Sequence, residues 1–184
     1  AAAIGKPDDT KRTLVQSLSP GGGRRWRGTP PPKAGAADSA PKVWTLKNGE
    51  PSGFAPLKAL DESPRNREFL SGWLRQLVSP EKGELSPQDL YQLNQALDAV
   101  TRLPREMRSL AAVRSQLDQT SIDGIGARLE RWTRNGEFGW VFDNEADSLR
   151  LDARLMGFDM TDFLENNAIR PPLMSYLFHR LDDI

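Results

Sequence analysis

Asp143, Glu145 and Asp147 alternate along the chain, the spacing with which a calcium-binding loop begins. Such a loop needs a glycine at its sixth position, for the sharp turn, and a glutamate at its twelfth, to hold the ion with both oxygens. Those positions are Ser148 and Arg154, so the acidic run reads as a solvated turn. Asp159, between Phe158 and Met160, has two readings: a functional carboxylate at a strand end, or a helix cap acting with Thr161. His179 is the only histidine and there are no cysteines. That excludes disulfides, thiolate zinc sites, iron–sulfur ligation and a cysteine nucleophile, and it argues against a Ser-His-Asp triad or a histidine metal cluster. His179 therefore reads as a core or interface residue of an amphipathic helix.

A phosphate-binding loop would read G-x-x-x-x-G-K-[ST], because its backbone N–H groups cradle the phosphates while its lysine meets the outer oxygens. No stretch of the sequence matches. Ile4-Gly5-Lys6 and Gly21-Gly22-Gly23-Arg24 lack the spacing, and Gly124-Ile125-Gly126 reaches Leu129 where a dinucleotide loop needs glycine. Those last glycines read as the entry to a helix. The residues alone therefore assign no catalytic, cofactor-binding or metal-binding position.

The elements that would position any site divide the chain in two. The 184 residues carry 25 Lys+Arg and 25 Asp+Glu, but unevenly. Residues 1–43 hold eight basic and three acidic side chains, a net of +5, which leaves 17 and 22, a net of −5, for residues 44–184. The first stretch also has six prolines and six glycines and few large apolar residues. It cannot bury enough surface to offset its chain entropy, so the expectation is a disordered basic segment with a helical turn at 11–18. Arg24-Arg25-Trp26-Arg27 could touch nucleic acid or an acidic lipid surface, and a solvated basic tail is the plainer reading. No apolar run approaches the roughly 20 residues that span a bilayer.

From Trp44 onward the sequence reads as structured. Trp44-Thr45-Leu46 is extended, Lys47-Asn48-Gly49 a turn, and Gly53 to Leu57 a loop burying Phe54 and Leu57. Pro64 precedes a helix with Phe69, Leu70, Trp73, Leu74 and Leu77 on one stripe. Ser86-Pro87-Gln88-Asp89 starts another, with serine as cap, proline at the first turn and aspartate at the positive helix end. Ser109 to Leu117 and Ala127 to Arg134 are shorter helices. The aromatic and β-branched run Phe138 to Asp143 reads as a strand, and residues 155–159 as a second. Thr161 and Asp162 cap a short helix through Leu164. Pro171-Pro172 opens a final helix whose apolar face is Leu173, Met174, Leu177, Phe178 and Leu181.

Several stretches, in this order, resemble the VirB/CagE-type ATPases of type IV secretion and conjugative transfer systems. They are residues 45–57 (TLKNGEPSGFAPL), 128–132 (RLERW), 139–147 (GWVFDNEAD), 157–161 (GFDMT) and 176–180 (YLFHR). The resemblance covers about residues 44–184. It implies an α/β fold, mostly helical as present: an incomplete RecA-like P-loop core with residues 65–118 as a helical insertion and 139–143 and 155–159 in the core sheet. It implies a dimeric or hexameric motor, cytoplasmic and peripheral to the bacterial inner membrane, that uses ATP and magnesium to drive pilus assembly or export of DNA and protein with other secretion components.

Two departures limit that expectation. The family's Walker A loop should precede Thr45, where residues 1–43 look instead like a foreign or wrong-frame segment. Its Walker B strand should follow His179-Arg180, and the sequence stops at Ile184. The expected chain is thus a partial ATPase domain that alone neither binds ATP tightly nor hydrolyses it. The alternative is a non-enzymatic helical adaptor that docks on a partner ATPase or on DNA through its basic tail.

Overall fold

The structure is a computed structural model that describes residues 42–151 and 156–182. Of the segment expected to be disordered, residues 1–43, positions 1–41 with the basic cluster and its glycine run lie outside the described residues, whereas Lys42 and Val43 begin a strand.

Two short strands, β1 (Lys42–Thr45) and β2 (Met156–Asp159), pair in parallel with Val43 opposite Gly157 and Trp44 opposite Phe158. Leu46 N–H extends the ladder by donating to the Asp159 carbonyl at 3.0 Å. Parallel neighbours need a long crossover, and the regular elements between the two strands here are all helical. The α/β expectation is met at this level: a mainly helical chain with a two-stranded parallel sheet.

After a one-turn helix α1 (Pro56–Ala59), the crossover builds a packed set of helices. In α2 (Pro64–Val78) Ser63 caps the start by accepting from Asn66 N–H, and Leu70, Trp73, Leu74 and Leu77 are buried on one stripe, with Phe69 packed at its edge. α3 (Pro87–Thr101) opens with a capping box in which Ser86 and Asp89 satisfy each other's backbone N–H. Ser86→Ala removes the acceptor for the Asp89 amide at an exposed site. It is expected to cost about 1 kcal/mol in urea unfolding, with Ser86→Gly costing less.

The next helices are shorter than their sequence periods suggest. α4 (Leu110–Arg114) starts at its Ser109 cap but stops early, and Leu117 is buried from an irregular turn. α5 (Ile125–Glu130) starts two residues before Ala127, with Gly124 as its cap.

The strand expected at 139–143 is instead a helical turn, α6 (Gly139–Phe142). A short apolar run cannot by periodicity alone be told from buried helix. Tertiary contact decides. Gly139 presses against backbone, such that a Cβ there would stand 2.1 Å from the Thr133 carbonyl oxygen. Phe142 lies between Trp73 and Trp132, at centroid distances of 5.0 and 5.6 Å. The second expected strand does form, at 156–159, but its partner is β1.

α7 (Thr161–Leu164) is a single turn, and α8 (Arg170–Leu181) begins one residue before the proline pair. Its apolar face is rotated from the one expected. Leu173, Tyr176 and Leu177 are buried, while Phe178 is 58% and Leu181 37% exposed. On that face Trp73 donates from Nε1 to the Pro172 carbonyl at 3.2 Å, and Tyr176 meets Phe54 edge-on at 5.7 Å. One continuous core results, with Phe54, Trp73, Trp132, Phe138, Phe142, Phe163 and Tyr176 as its buried aromatic members. Among the described residues no helix is long and apolar enough to cross a membrane.

Candidate functional site

The acidic run is not the solvated turn its spacing suggested. Asp143 and Asp147 are largely withdrawn from solvent, and only Glu145 projects outward. Charges are buried only when donors surround them, and here backbone amides supply most of those donors. Asp143 accepts from Leu110 N–H at 2.8 Å through Oδ1 and from Arg134 N–H at 2.9 Å through Oδ2. It thus caps the start of α4 and closes the turn after α5.

Asp147 binds four donors. Ala55 N–H reaches Oδ2 at 2.8 Å and the Tyr176 hydroxyl reaches the same oxygen at 2.6 Å. Leu149 N–H donates to Oδ1 at 3.1 Å, and an Arg180 guanidinium nitrogen lies 3.3 Å from it. That nitrogen also donates to the Tyr176 oxygen at 3.0 Å. Burial, and next the Asp147 charge, push the Tyr176 hydroxyl far above the ordinary tyrosine range. It therefore stays protonated and acts as a fixed donor.

Asn144, between the two aspartates, turns its amide to the preceding segment. Nδ2 donates to the Phe54 carbonyl at 2.9 Å and lies 3.2 Å from Ser52 Oγ. Ser52 Oγ in turn donates to the Val141 carbonyl. Lys58 Nζ donates to the carbonyls of Asn144 and Glu145, at 3.0 and 2.8 Å. Ser148 N–H donates to the Gly53 carbonyl at 2.8 Å. Gly53 has φ +77°, a conformation that glycine adopts without strain, and a Cβ there would fall 2.1 Å from Ser148 Oγ. Residues 143–149 are therefore a polar clamp. It ties the loop that follows β1 to the start of α4 and to α8.

The other sequence candidates resolve separately. Asp159 is exposed and accepts from the Thr161 hydroxyl at 2.7 Å and the Thr161 N–H at 3.2 Å. The hydroxyl bond first, then the amide bond, hold its carboxyl below the usual range. Asp159 thus closes a turn onto Thr161, the first residue of α7, while Met160 occupies the cap position and makes no side-chain cap bond. His179 stacks on Phe69 at 3.9 Å with rings 5° from parallel, and its Nε2 is 2.6 Å from Asn66 Oδ1. Asn66 Nδ2 donates to Asp61, which turns the amide oxygen to the imidazole and makes Nε2 the protonated nitrogen. His179 is thus an interface residue between α2 and α8. Gly124 and Gly126 enter α5, as expected. Among the described residues no three His, Asp or Glu side chains are grouped to hold a metal.

Residue-by-residue reasoning missed Ser52, Lys58, Asn144, Tyr176 and Arg180. For all but Lys58 the signal lay in the resemblance, since three of the stretches that carry it, 45–57, 139–147 and 176–180, meet at this clamp.

Fold and clamp together define a mainly helical α/β segment whose most elaborate polar site orders three stretches of chain. Curated relatives specify the family. The chain is 45% identical over 143 residues to the type IV secretion system protein virB4 of Bartonella henselae, which covers 78% of this chain and 18% of that protein. It is 37% identical over 137 residues to protein virB4 of Rhizobium radiobacter (74% and 17%) and 30% identical over 153 residues to that of Brucella abortus (77% and 18%). The chain is a homologue of the virB4 proteins of type IV secretion systems and corresponds to one part of them. It spans about a fifth of the length of the curated relatives it matches. No protein-family model matches it.

Proposed function

We propose that this chain is the part of a virB4-type secretion ATPase lying between its two nucleotide-binding motifs, and that by itself it neither binds ATP tightly nor hydrolyses it. The observation that carries this reading is the pairing of 45% identity to a virB4 protein with a sequence that contains no phosphate-binding loop. Phosphoryl transfer depends on positioning and electrostatic stabilisation by that loop and its magnesium ligands, so a chain without them lacks the catalytic parts. In the complete protein, ATP and magnesium would bind outside this segment.

On this reading β1 and β2 belong to a RecA-like sheet and residues 65–118 form a helical insertion. A two-stranded parallel sheet supports it, because parallel strands are ordinarily covered on both faces within larger sheets. The complete protein would act as an oligomer at the cytoplasmic face of the inner membrane, with other secretion components, to power pilus assembly or export of DNA or protein. Titration of this chain with Mg-ATP in a calorimeter is expected to give no micromolar binding. A micromolar dissociation constant would overturn the proposal. The coding DNA on either side of this reading frame tests the wider reading, since it should encode Walker A and Walker B sequences.

A further inference from the structure

We propose that the open cleft beside the clamp is a binding site for a small multivalent phosphate anion. The cleft encloses about 530 Å³. Four cations from separate parts of the chain line it: Lys58 on α1, Arg105 in the turn before α4, Arg150 after the clamp, and Arg180 on α8. The clamp holds two of them in place. Lys58 is fixed by the carbonyls of Asn144 and Glu145, and Arg180 by Asp147 and Tyr176.

The other two are uncommitted. Most described arginines engage a carboxylate, a carbonyl or a hydroxyl. Among the described residues the guanidinium groups of Arg105 and Arg150 make neither a hydrogen bond nor an ion pair. Lys82 and Arg102 share that state but lie away from the cleft.

The acids around the cleft leave a positive balance. Asp147 is consumed by its four donors. Glu145 faces Arg134 at 3.8 Å. Glu106 remains on the rim, and Asp61, in the adjoining hollow, is held by Ser63 and Asn66 while still attracting Arg105. Among the described lining residues four cations stand against three acids, and one of those acids, Asp147, is already occupied. Two arginines and a lysine lining one cleft from three parts of the chain suit a ligand with more than one negative charge and several acceptor oxygens, which a di- or polyphosphate provides. This site stands apart from the ATPase reading, because it uses none of that family's nucleotide motifs.

The test is an NMR-monitored titration of the full chain with inorganic pyrophosphate, with citrate as a carboxylate of similar charge. Saturable one-to-one binding is expected, with shifts centred on residues 58, 105, 150 and 180. Arg105→Ala combined with Arg150→Ala should weaken it about tenfold or more, while Lys82→Ala combined with Arg102→Ala changes it less than about twofold. All four side chains are exposed, and a circular dichroism spectrum checks that each variant is folded. Absence of saturation, or equal weakening in both double variants, overturns the site. Equal affinity for citrate overturns its assignment to phosphate.

Discussion

Asp147→Ala is expected to destabilise the folded chain by about 3–5 kcal/mol, the range for breaking one partner out of a buried ion pair. The side chain is 8% exposed and its partner Arg180 is 19% exposed. The substitution does more than remove a charge. It leaves Arg180, the Tyr176 hydroxyl and the amides of Ala55 and Leu149 without their acceptor, and water reaches these groups poorly. Asp147→Asn separates charge from shape. It keeps one carbonyl oxygen for the amides but presents an NH2 group toward a donor, so it should recover only part of the loss. Replacing both Asp147 and Arg180 with apolar residues should cost less than the sum of the single changes, because neither then strands the other. Urea unfolding of the wild type, the two Asp147 variants, the Arg180 single variant and the double variant measures all of this. A loss below about 1 kcal/mol for Asp147→Ala would mean that the clamp is ornamental to the fold.

Trp73→Ala should cost about 3–5 kcal/mol by the same measurement, through a different cause. Trp73 is 1% exposed on α2 and touches two elements distant in sequence. Its ring meets Phe142 of α6 edge-on at 5.0 Å, and its Nε1 donates to the Pro172 carbonyl at the start of α8. Truncation opens a cavity at the junction of three helices and removes the indole donor from a buried carbonyl. Trp73→Phe retains much of the volume and loses the hydrogen bond, so a cost of about 1–2 kcal/mol is expected. The two phenotypes are distinguishable by ligand: a small apolar molecule such as benzene should partly rescue Trp73→Ala and leave Asp147→Ala unchanged. If Trp73→Phe proved as damaging as Trp73→Ala, the hydrogen bond would matter more than the packing.

These two residues differ in how readily they could be read. Trp73 announces itself, because it sits on an apolar stripe at helical spacing and such a stripe must be buried. Asp147 does not. In sequence it is the third member of an acidic run, and acidic runs are usually solvated. Only the arrival of Ala55, Tyr176 and Arg180 from far along the chain turns it into a buried anchor. The resemblance to secretion ATPases named the right stretches, yet it could not say that they touch.

What the sequence alone determined is local and periodic. Ser63 and Ser86 start α2 and α3, Asn48-Gly49 turns the chain after β1, and the leucine and tryptophan stripes choose which faces are buried. These features depend on residues within a few positions of one another, so their physics is complete in a short window. Tertiary structure decided the rest. It made a helical turn of Gly139–Phe142, because close backbone approach and two tryptophans left no edge for a strand to pair with. It rotated α8 to bury Tyr176 and expose Phe178, because the buried hydroxyl found a carboxylate and the phenylalanine needed none. It gathered Asp143, Asn144 and Asp147 into a clamp, since a buried polar group goes where its partners are, and those partners lie up to 92 positions away.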